Sequence, residues 1–538
     1  MWKQIKEKKT FYLLFLLIWL VQMLAAFYFC TQKQGFHEDE YYTYYSTART
    51  NGFYVEDGQW MERETYRNEF VVLPGQQFQY GLVKQVQSWD VHPPVYYWVF
   101  HTVASLVPGV FSKWIGLSVN LVFYGINICL LGYLSWLISG KNQKVTLLVT
   151  LFYGLTPAAF SGVVFIRMYE MQTTFVLLSA LLHIKGLQKF SVKNVLLMMA
   201  VTYLGYLTQY YYFIFLFYLG FFFCCYLLWK KRSFRDCLIY GGSQLVAFGL
   251  AYLTYSSCLG QMFRGQRGAQ ATENFFDVSN TLERISFFGN LLDEYVFGKC
   301  LSVLILLILL LGLWLFYQKG RRANTERTEH KPEQKIGQKA GLGTAFFMLA
   351  FATAGYFLTV SKTALLLGDT SNRYQLPVYG MVVLLLFTLL AWMFGQMAIK
   401  GTYLWIMAGI LCLIVDIIGL TSDRVVFLYP QDKEETAFAR QQAQENSAAI
   451  YLYNEGADWC IWDVTNELLE YPAVYFASTS SEEPLSDTTI ENADSLVVYV
   501  AQGEDVTAQL ERILHSNEKL TGYEQKWKEK YCDVYYFH

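Results

Sequence analysis

The sequence predicts an α-helical polytopic membrane protein with a small α/β domain at its C-terminal end. Of its 538 residues, 54% are hydrophobic and only 16% are charged, whereas soluble domains average about 25% charged residues. The charge is also unevenly divided, since residues 431–538 contain 21 Asp/Glu and 7 Lys/Arg, a net charge of −14. The rest of the chain is therefore basic. This division is typical of a membrane-embedded part followed by an acidic soluble tail.

Eleven apolar segments approach or reach the length of about 20 residues that crosses a bilayer. They lie at 11–30, 114–138, 145–161, 170–188, 194–208, 211–229, 237–258, 300–317, 342–360, 375–396 and 402–420. The first follows several lysines, but no small-residue cleavage site comes after it, so we interpret it as a retained span.

The basic residues predict the orientation of these spans. Half of the 42 Lys and Arg residues fall in the N-terminal segment and in every second connection. Because cytoplasmic loops are enriched in Lys and Arg, we expect a multi-pass protein of the cell membrane, in contact with its lipids, with a cytoplasmic N-terminus. An odd number of spans then predicts an extracytoplasmic tail. The apolar piece 95–107 is too short to span and is interpreted as a helix in the outer interface.

The predicted domains are a membrane module, 1–420, with an outer loop at 31–112, and an extracytoplasmic α/β domain, 421–538. Within the tail, 448–453, 495–501 and 531–537 have the composition of strands, and 506–515 has the apolar spacing of a helix. Cys460 and Cys532 could form a disulfide if the tail is outside the cell.

The segment His37-Glu38-Asp39-Glu40 directly follows the first span. Placing three acidic residues beside a membrane costs free energy unless water solvates them or they serve the function of the protein. One interpretation is a solvated loop. The other is a general base that activates an acceptor hydroxyl, with Asp39 and Glu40 sharing the roles of base and orienting group.

The outer loop ends with Asp90-Val91-His92-Pro93-Pro94. Pro93 keeps His92 out of the α region, and Pro94 suits the first position of a helix. His92 is therefore either incidental to a helix start or held, with Asp90, facing the first loop.

In this order the motifs resemble the C-type glycosyltransferases of the protein O-mannosyltransferase-like group, glycosyltransferase family 39. The resemblance covers about residues 10–395 but not the tail. Its motifs are Asp39-Glu40-Tyr41, the Asp90 to Tyr97 segment, Arg167-Met168-Tyr169, Thr208-Gln209-Tyr210-Tyr211 and Arg373-Tyr374-Gln375-Leu376-Pro377. The chain departs from the family at Ile166, where Ala is usual, and at Gln209, where His is usual.

The resemblance implies the GT-C fold and an inverting transfer from a polyprenyl-phosphate-linked sugar on the outer face. By this resemblance Asp39 is the base, Glu40 its neighbour, and Arg373 a ligand of the lipid phosphate. The acceptor is left open among protein, glycolipid and cell-wall polymer. No convincing metal-ligand set is found, although the resemblance leaves a divalent cation open.

Further binding candidates are Arg167, Tyr169, Arg373 and Tyr374, together with the Asp90–His92 pair. A guanidinium group suits phosphate oxygens in bidentate geometry, but either arginine could equally anchor a helix at the interface. Glu170 is either a cap at the interface or a second site acid. Weaker phosphate candidates are Arg264, Arg267 and Lys362.

The competing class is a non-enzymatic transporter or exporter of lipid-linked or polymeric glycans. Transporters usually show paired halves with ionisable residues at the midplane, and no internal repeat is found here. A membrane receptor with a ligand-binding tail would leave the first loop without a role. The acidic tail gives no support to nucleic-acid binding.

Overall fold

The computed structural model describes residues 2–48, 55–263, 265–325, 336–397, 401–445, 447–481, 483–502 and 506–538. Its contacts divide the chain into two compact units. The membrane unit consists of Met1–Cys30, Gln87–Tyr96 and Leu117–Val426. The loop–tail unit consists of Thr31–Val86, Tyr97–Gly116 and Phe427–His538.

The membrane unit is built from helices. Their bounds are Trp2–Gln32, Lys113–Ile138, Gln143–Gly154, Pro157–Val164, Tyr169–Gln188, Val192–Tyr206, Tyr211–Cys225, Phe234–Thr254, Ser257–Phe263, Gln266–Phe276, Thr281–Tyr295, Leu301–Thr325, Ile336–Thr363, Leu376–Gln396 and Thr402–Thr421. Each of the eleven segments predicted to cross the bilayer overlaps one of these helices, and 145–161 and 237–258 each overlap two.

Among the described residues, eight helices are long and apolar enough to cross a membrane, and a bent pair could form a ninth span. The pair is Gln143–Gly154 and Pro157–Val164, which meet at 56°. The bend follows from the sequence, since Thr156 caps the second helix by accepting from the N–H of Ala159, and Pro157 occupies its first turn. These helices indicate a multi-pass membrane protein.

Two of the predicted spans differ from the others. Val192–Tyr206 has only 15 residues, and Tyr169–Gln188 is buried along nearly its whole length. Burial among other helices gives polar residues such as Gln172 and His183 protein partners in place of lipid. The fold class is confirmed, although within the described residues fewer than eleven helices have the length and apolarity of a span.

The loop–tail unit is organised around a six-stranded sheet. The strands are β1 Gln59–Glu62, β2 Ala448–Tyr453, β3 Ala473–Ser478, β4 Leu496–Ala501, β5 Tyr523–Lys528 and β6 Cys532–Phe537. Their order is β1-β3-β2-β4-β6-β5. β2 is parallel to both β3 and β4, and the remaining pairs are antiparallel. Ile450, Val498, Ile513 and Phe537 are fully buried in its core.

Helices complete this unit. They are Glu38–Ala48, Arg63–Arg67, Tyr80–Gln87, Val95–Ser105, Asp432–Gln444, Thr465–Leu468, Thr488–Asn492 and Val506–His515. The predicted elements of the tail are present, since β2, β4, β6 and the helix Val506–His515 all lie within one residue of where the sequence placed them. Cys460 and Cys532 are free thiols here, and the Cys532 Sγ lies 3.4 Å from the Cys460 carbonyl oxygen.

Strand β1 comes from the first outer loop, not from the tail. It pairs antiparallel with β3, from Gln59 opposite Phe476 to Glu62 opposite Ala473. This pairing provides partners for the backbone N–H and C=O groups of the four-residue strand. Most of the loop 31–112 therefore groups with the tail, whereas the sequence assigned it to the membrane module.

Candidate functional site

The acidic segment forms the first turn of the helix Glu38–Ala48, which we call the loop helix. Glu38, Asp39 and Glu40 all lie in that turn, where the helix dipole favours negative charge. The N–H of Glu40 donates to the His37 carbonyl oxygen at 2.8 Å. The preceding bend needs Gly35, because a Cβ at that position would overlap the carboxylate of Asp432.

Glu40 is the most deeply buried of the three acids. The Lys33 Nζ donates to the Glu40 Oε2 at 2.9 Å, and both side chains are 0% exposed. The same oxygen accepts the main-chain N–H of His37 at 2.6 Å. The Lys33 Nζ also donates to the Phe427 carbonyl oxygen at 2.8 Å. Glu40 therefore belongs to a closed ion pair, a placement that the sequence did not predict.

Glu38 is held by the turn between β5 and β6. The Lys530 Nζ lies 3.1 Å from the Glu38 Oε1, and the Tyr531 hydroxyl donates to the same oxygen at 3.3 Å. The N–H of Tyr531 in turn donates to Asp463 at 2.6 Å. Two residues of the tail thus fix the acid that precedes Asp39.

Asp39 lies between these two anchored neighbours, and its side chain is 29% exposed. Its main-chain N–H donates to the His37 Nδ1 at 3.1 Å. The same Nδ1 lies 3.6 Å from the Asp39 carboxylate, and the Nε2 of this ring lies 3.5 Å from that of Glu38. Asp39 is thus a partly accessible carboxylate on a rigid helical turn.

Beyond Glu40 the unit contains further acids. The residues are Asp432, Glu435, Asp463, Glu467 and Glu529. Burial and, next, the neighbouring carboxylates raise the pKa of Asp432 to about 7, although Lys33 opposes the shift. Burial raises the pKa of Glu529 to about 9, and Glu435 is the next cause. No set of three His, Cys, Asp or Glu residues in the described part of the chain is placed to hold a metal ion.

His101 was not foreseen by sequence reasoning. It is buried, its Nδ1 lies 2.8 Å from the Thr47 carbonyl oxygen, and its Nε2 accepts the N–H of Gln79 at 3.0 Å. Burial lowers the pKa of this imidazole. The neutral ring therefore fixes the C-terminal end of the loop helix.

Asp90 and His92 are half-buried residues of the membrane unit. The Gln261 amide donates to the Asp90 carbonyl oxygen at 2.5 Å, and the N–H of Val95 donates to the Leu207 carbonyl oxygen at 2.9 Å. The helix starts at Val95, directly after Pro94, as the proline pair predicts. The structure therefore anchors this turn at both ends.

Arg373 lies in the membrane unit inside an aromatic enclosure and is only 4% exposed. Its Cζ is 5.1 Å from the Tyr374 ring centroid and 5.6 Å from that of Phe165, distances typical of cation–π contacts. Tyr374 also packs against Tyr169 and Tyr211, at centroid distances of 6.3 and 5.9 Å. Three of the predicted binding residues, Arg373, Tyr374 and Tyr169, thus lie together.

Arg167 lies in the break between Pro157–Val164 and Tyr169–Gln188 and is 3% exposed. The Asn120 amide holds this break by donating to the carbonyl oxygens of Val163 and Phe165, at 3.0 and 2.6 Å. Phe165, which contacts Arg373, is only two residues away. Sequence reasoning missed Phe165 and Asn120, which carry no motif of their own.

Of the other charged candidates, Glu170 and Lys362 are bound by groups of the protein itself. Glu170 is buried and accepts from the Asn127 amide at 2.7 Å. Lys362 donates to the Asp277 carbonyl oxygen, to Asn280 and to Thr281, so it ties one loop together. Arg267 is exposed, and Arg264 lies outside the described residues.

No protein-family model and no curated protein matches the chain. Solved structures do match it. ArnT from Cupriavidus metallidurans, bound to undecaprenyl phosphate, gives a TM-score of 0.51 at 11% identity, over 99% of this chain and 98% of that chain. The chain has the GT-C fold. The oligosaccharyltransferase AglB from Archaeoglobus fulgidus, in complex with an inhibitory peptide and a dolichol-phosphate, gives a TM-score of 0.40 at 10% identity, over 89% of this chain and 69% of that chain.

Proposed function

We propose that the protein is an inverting membrane glycosyltransferase that moves a sugar from a polyprenyl-phosphate donor to an acceptor outside the cytoplasm. The observation that carries the proposal is the placement of Asp39 in a chain of GT-C fold. Its carboxylate is partly exposed and lies 3.6 Å from the His37 Nδ1, between Glu38, which Lys530 binds, and Glu40, which Lys33 binds.

Asp39 is assigned the role of general base. It takes the proton of the acceptor hydroxyl as that oxygen attacks the anomeric carbon, and the bond from this carbon to the phosphate oxygen breaks. The polyprenyl phosphate leaves with the electron pair and its negative charge. Attack opposite to the leaving group inverts the anomeric centre, so one base is enough and no covalent intermediate forms.

Arg373 and Arg167 are assigned to the lipid phosphate. Guanidinium groups bind phosphate oxygens through paired hydrogen bonds, and exclusion of water strengthens such contacts. The aromatic rings around Arg373 provide that exclusion. The undecaprenyl phosphate bound to ArnT supports a lipid phosphate as the ligand class. Tyr169, Tyr374, Asp90 and His92 are candidates for further donor contacts, and Glu170 for a structural role.

The finer parts of the proposal rest on the sequence. The resemblance to family 39 favours a hexosyl donor, and the basic connections favour a cytoplasmic N-terminus with the tail outside. The acceptor classes stay protein, glycolipid and cell-wall polymer.

The test is the transfer rate of Asp39→Asn, which keeps the shape of the side chain but cannot act as a base. With purified protein in lipid nanodiscs and polyprenyl-phosphate hexoses, mass spectrometry of the products measures transfer. We expect the rate to fall about 10²–10⁴-fold while the donor still binds. Glu64→Gln, an exposed acid of the same loop, is the matched control. Transfer by Asp39→Asn at the wild-type rate would place the base elsewhere.

A further inference from the structure

Lys33 is a lysine with no exposed surface that is bound on several sides. Its Nζ donates to Glu40 and to the Phe427 carbonyl oxygen, at 2.9 and 2.8 Å. The ring centroids of Phe36 and Tyr429 lie 5.6 and 5.3 Å away. Lysine is rarely buried without a paired charge, so the ion pair with Glu40 is what keeps it here.

Glu40 is bound as completely as Lys33. Its Oε2 accepts from Lys33 and from the main-chain N–H of His37. Neither partner of the pair is exposed, so neither side chain reaches solvent from which an acceptor hydroxyl would come. A general base must come within about 3 Å of the proton that it takes, and Glu40 is closed off from that position.

The ion pair between Lys33 and Glu40 affects the position of Asp39, which directly precedes Glu40 in the chain. Glu40 fixes the N–H of His37, and the ring of His37 receives the N–H of Asp39. The position of Asp39 is therefore set through two hydrogen bonds that begin at the ion pair.

We propose that Lys33 and Glu40 are positioning residues, whose buried ion pair holds the first turn of the loop helix so that Asp39 meets the acceptor. This inference rests on the proposed function, because it takes Asp39 as the base. It removes Glu40 from the chemistry, where the sequence motif had placed it, and brings in Lys33, which no motif contains.

The experiment is a double-mutant cycle. Lys33→Met, Glu40→Gln and the double variant are compared with wild type for kcat, for the donor KM and for the pH profile of kcat. A displacement of about 1 Å at a reacting group can cost about 10²-fold in rate, so we expect each single variant to lose about that much kcat at unchanged donor KM. In the double variant no charge is left buried alone, and we expect its kcat to exceed that of Lys33→Met. Lys519→Met, which breaks an exposed ion pair, is the control and should match wild type.

The outcomes separate this inference from the proposed function. If Asp39→Asn is inactive while Lys33→Met and Glu40→Gln keep their kcat, the positioning role is wrong and the base stands. If Asp39→Asn transfers at the wild-type rate, the base lies elsewhere and this inference fails with that assignment, whereas the absence of any transfer by wild type from polyprenyl-phosphate hexoses contradicts the proposed function itself. If Glu40→Gln and the double variant are equally inactive and the pH profile loses an ionisation, Glu40 is itself catalytic. Should a single variant not fold, it is replaced by Glu40→Asp, which keeps the charge but is one methylene too short to reach both Lys33 and the N–H of His37. We expect a lower kcat at unchanged donor KM in that variant, and an unchanged kcat contradicts the inference.

Discussion

Glu38, Asp39 and Glu40 follow one another in the chain, yet each has different surroundings. Lys530 and Tyr531 bind the first, and Lys33 binds the third. Composition treats the three carboxylates as equivalent. Their partners lie 7 residues away for Glu40 and 492 for Glu38, so only the fold distinguishes them.

At Arg373 the predicted effect concerns the donor. Arg373→Ala should raise the donor KM more than Arg373→Lys, because Lys keeps the charge and loses only the planar fork. Steady-state kinetics at fixed acceptor concentration measure both, with Arg235→Ala, at an exposed arginine that was not a phosphate candidate, as control. Equal KM values in wild type, Arg373→Lys and Arg373→Ala would make Arg373 an anchor of the aromatic enclosure.

Among the elements, the sequence predicted three of the four interior strands, β2, β4 and β6, and missed both edge strands and the interior strand β3. β2, β4 and β6 are apolar runs, and their composition alone predicts strands. In contrast, β1 and β5 read Gln-Trp-Met-Glu and Tyr-Glu-Gln-Lys-Trp-Lys, which are polar because edge strands face solvent. Their conformation comes from their partners, and β1 finds its partner about 410 residues later in the chain. The sequence motifs named Asp39, Glu40 and Arg373 as candidates. They did not name Lys530, whose partner Glu38 lies 492 residues away, or Lys33, whose burial only the fold reveals.

Strand β1 leads to a prediction of stability. The Trp60 Nε1 donates to Asp487 at 3.0 Å, and its ring lies 5.4 Å from that of Tyr475. Trp60→Ala should lower the free energy of unfolding of the loop–tail unit by about 2 kcal/mol, less than a fully buried Trp because Trp60 is only half-buried. Thermal unfolding measures the change, and tryptic cleavage after Arg63 should quicken. Trp89→Ala, at a 65% exposed position, is the control. An unchanged unfolding temperature in Trp60→Ala would deny β1 a stabilising role.

At the scale of the whole molecule, the tail and the outer loop form one unit. Truncation after Leu420 removes β3, the Phe427 carbonyl that binds Lys33, and Lys530. We therefore expect loss of transfer even to a simple acceptor, whereas polyprenyl phosphate should still bind through Arg373 in the membrane unit. Binding of a fluorescent polyprenyl phosphate and transfer assays on the truncated protein measure the two effects. Retained transfer to the simple acceptor would show that the loop folds without the tail.

The buried acids predict a pH dependence of the same unit. Burial raises the pKa of Asp432 to about 7 and that of Asp463 to about 6, so the folded state binds more protons than the unfolded state. Stability then falls as pH rises from the unfolded value near 4 through these pKa values. Asp432 faces Glu435, Asp463 and Lys33. Asp432→Asn should remove the free-energy cost of ionising this buried carboxylate. That variant should unfold at a higher temperature than wild type at pH 8 and show a smaller gain at pH 5. Asp494→Asn, at a 95% exposed side chain, should show no such difference, and an equal shift of Asp432→Asn at both values would contradict the prediction.

The pairing of β1 with β3 also has a consequence for folding during synthesis, because the two strands leave the ribosome at different times. A ribosome adds about 5–20 residues per second, so about 410 residues separate the two strands by roughly 20–80 seconds. During that interval β1 has no partner, and the Lys530 and Phe427 contacts of the acidic turn do not yet exist. A nascent chain therefore carries its candidate base without the contacts that place it. Ribosome-bound chains that stop before Ala473 should have a protease-sensitive outer loop, and chains released after Phe537 should not.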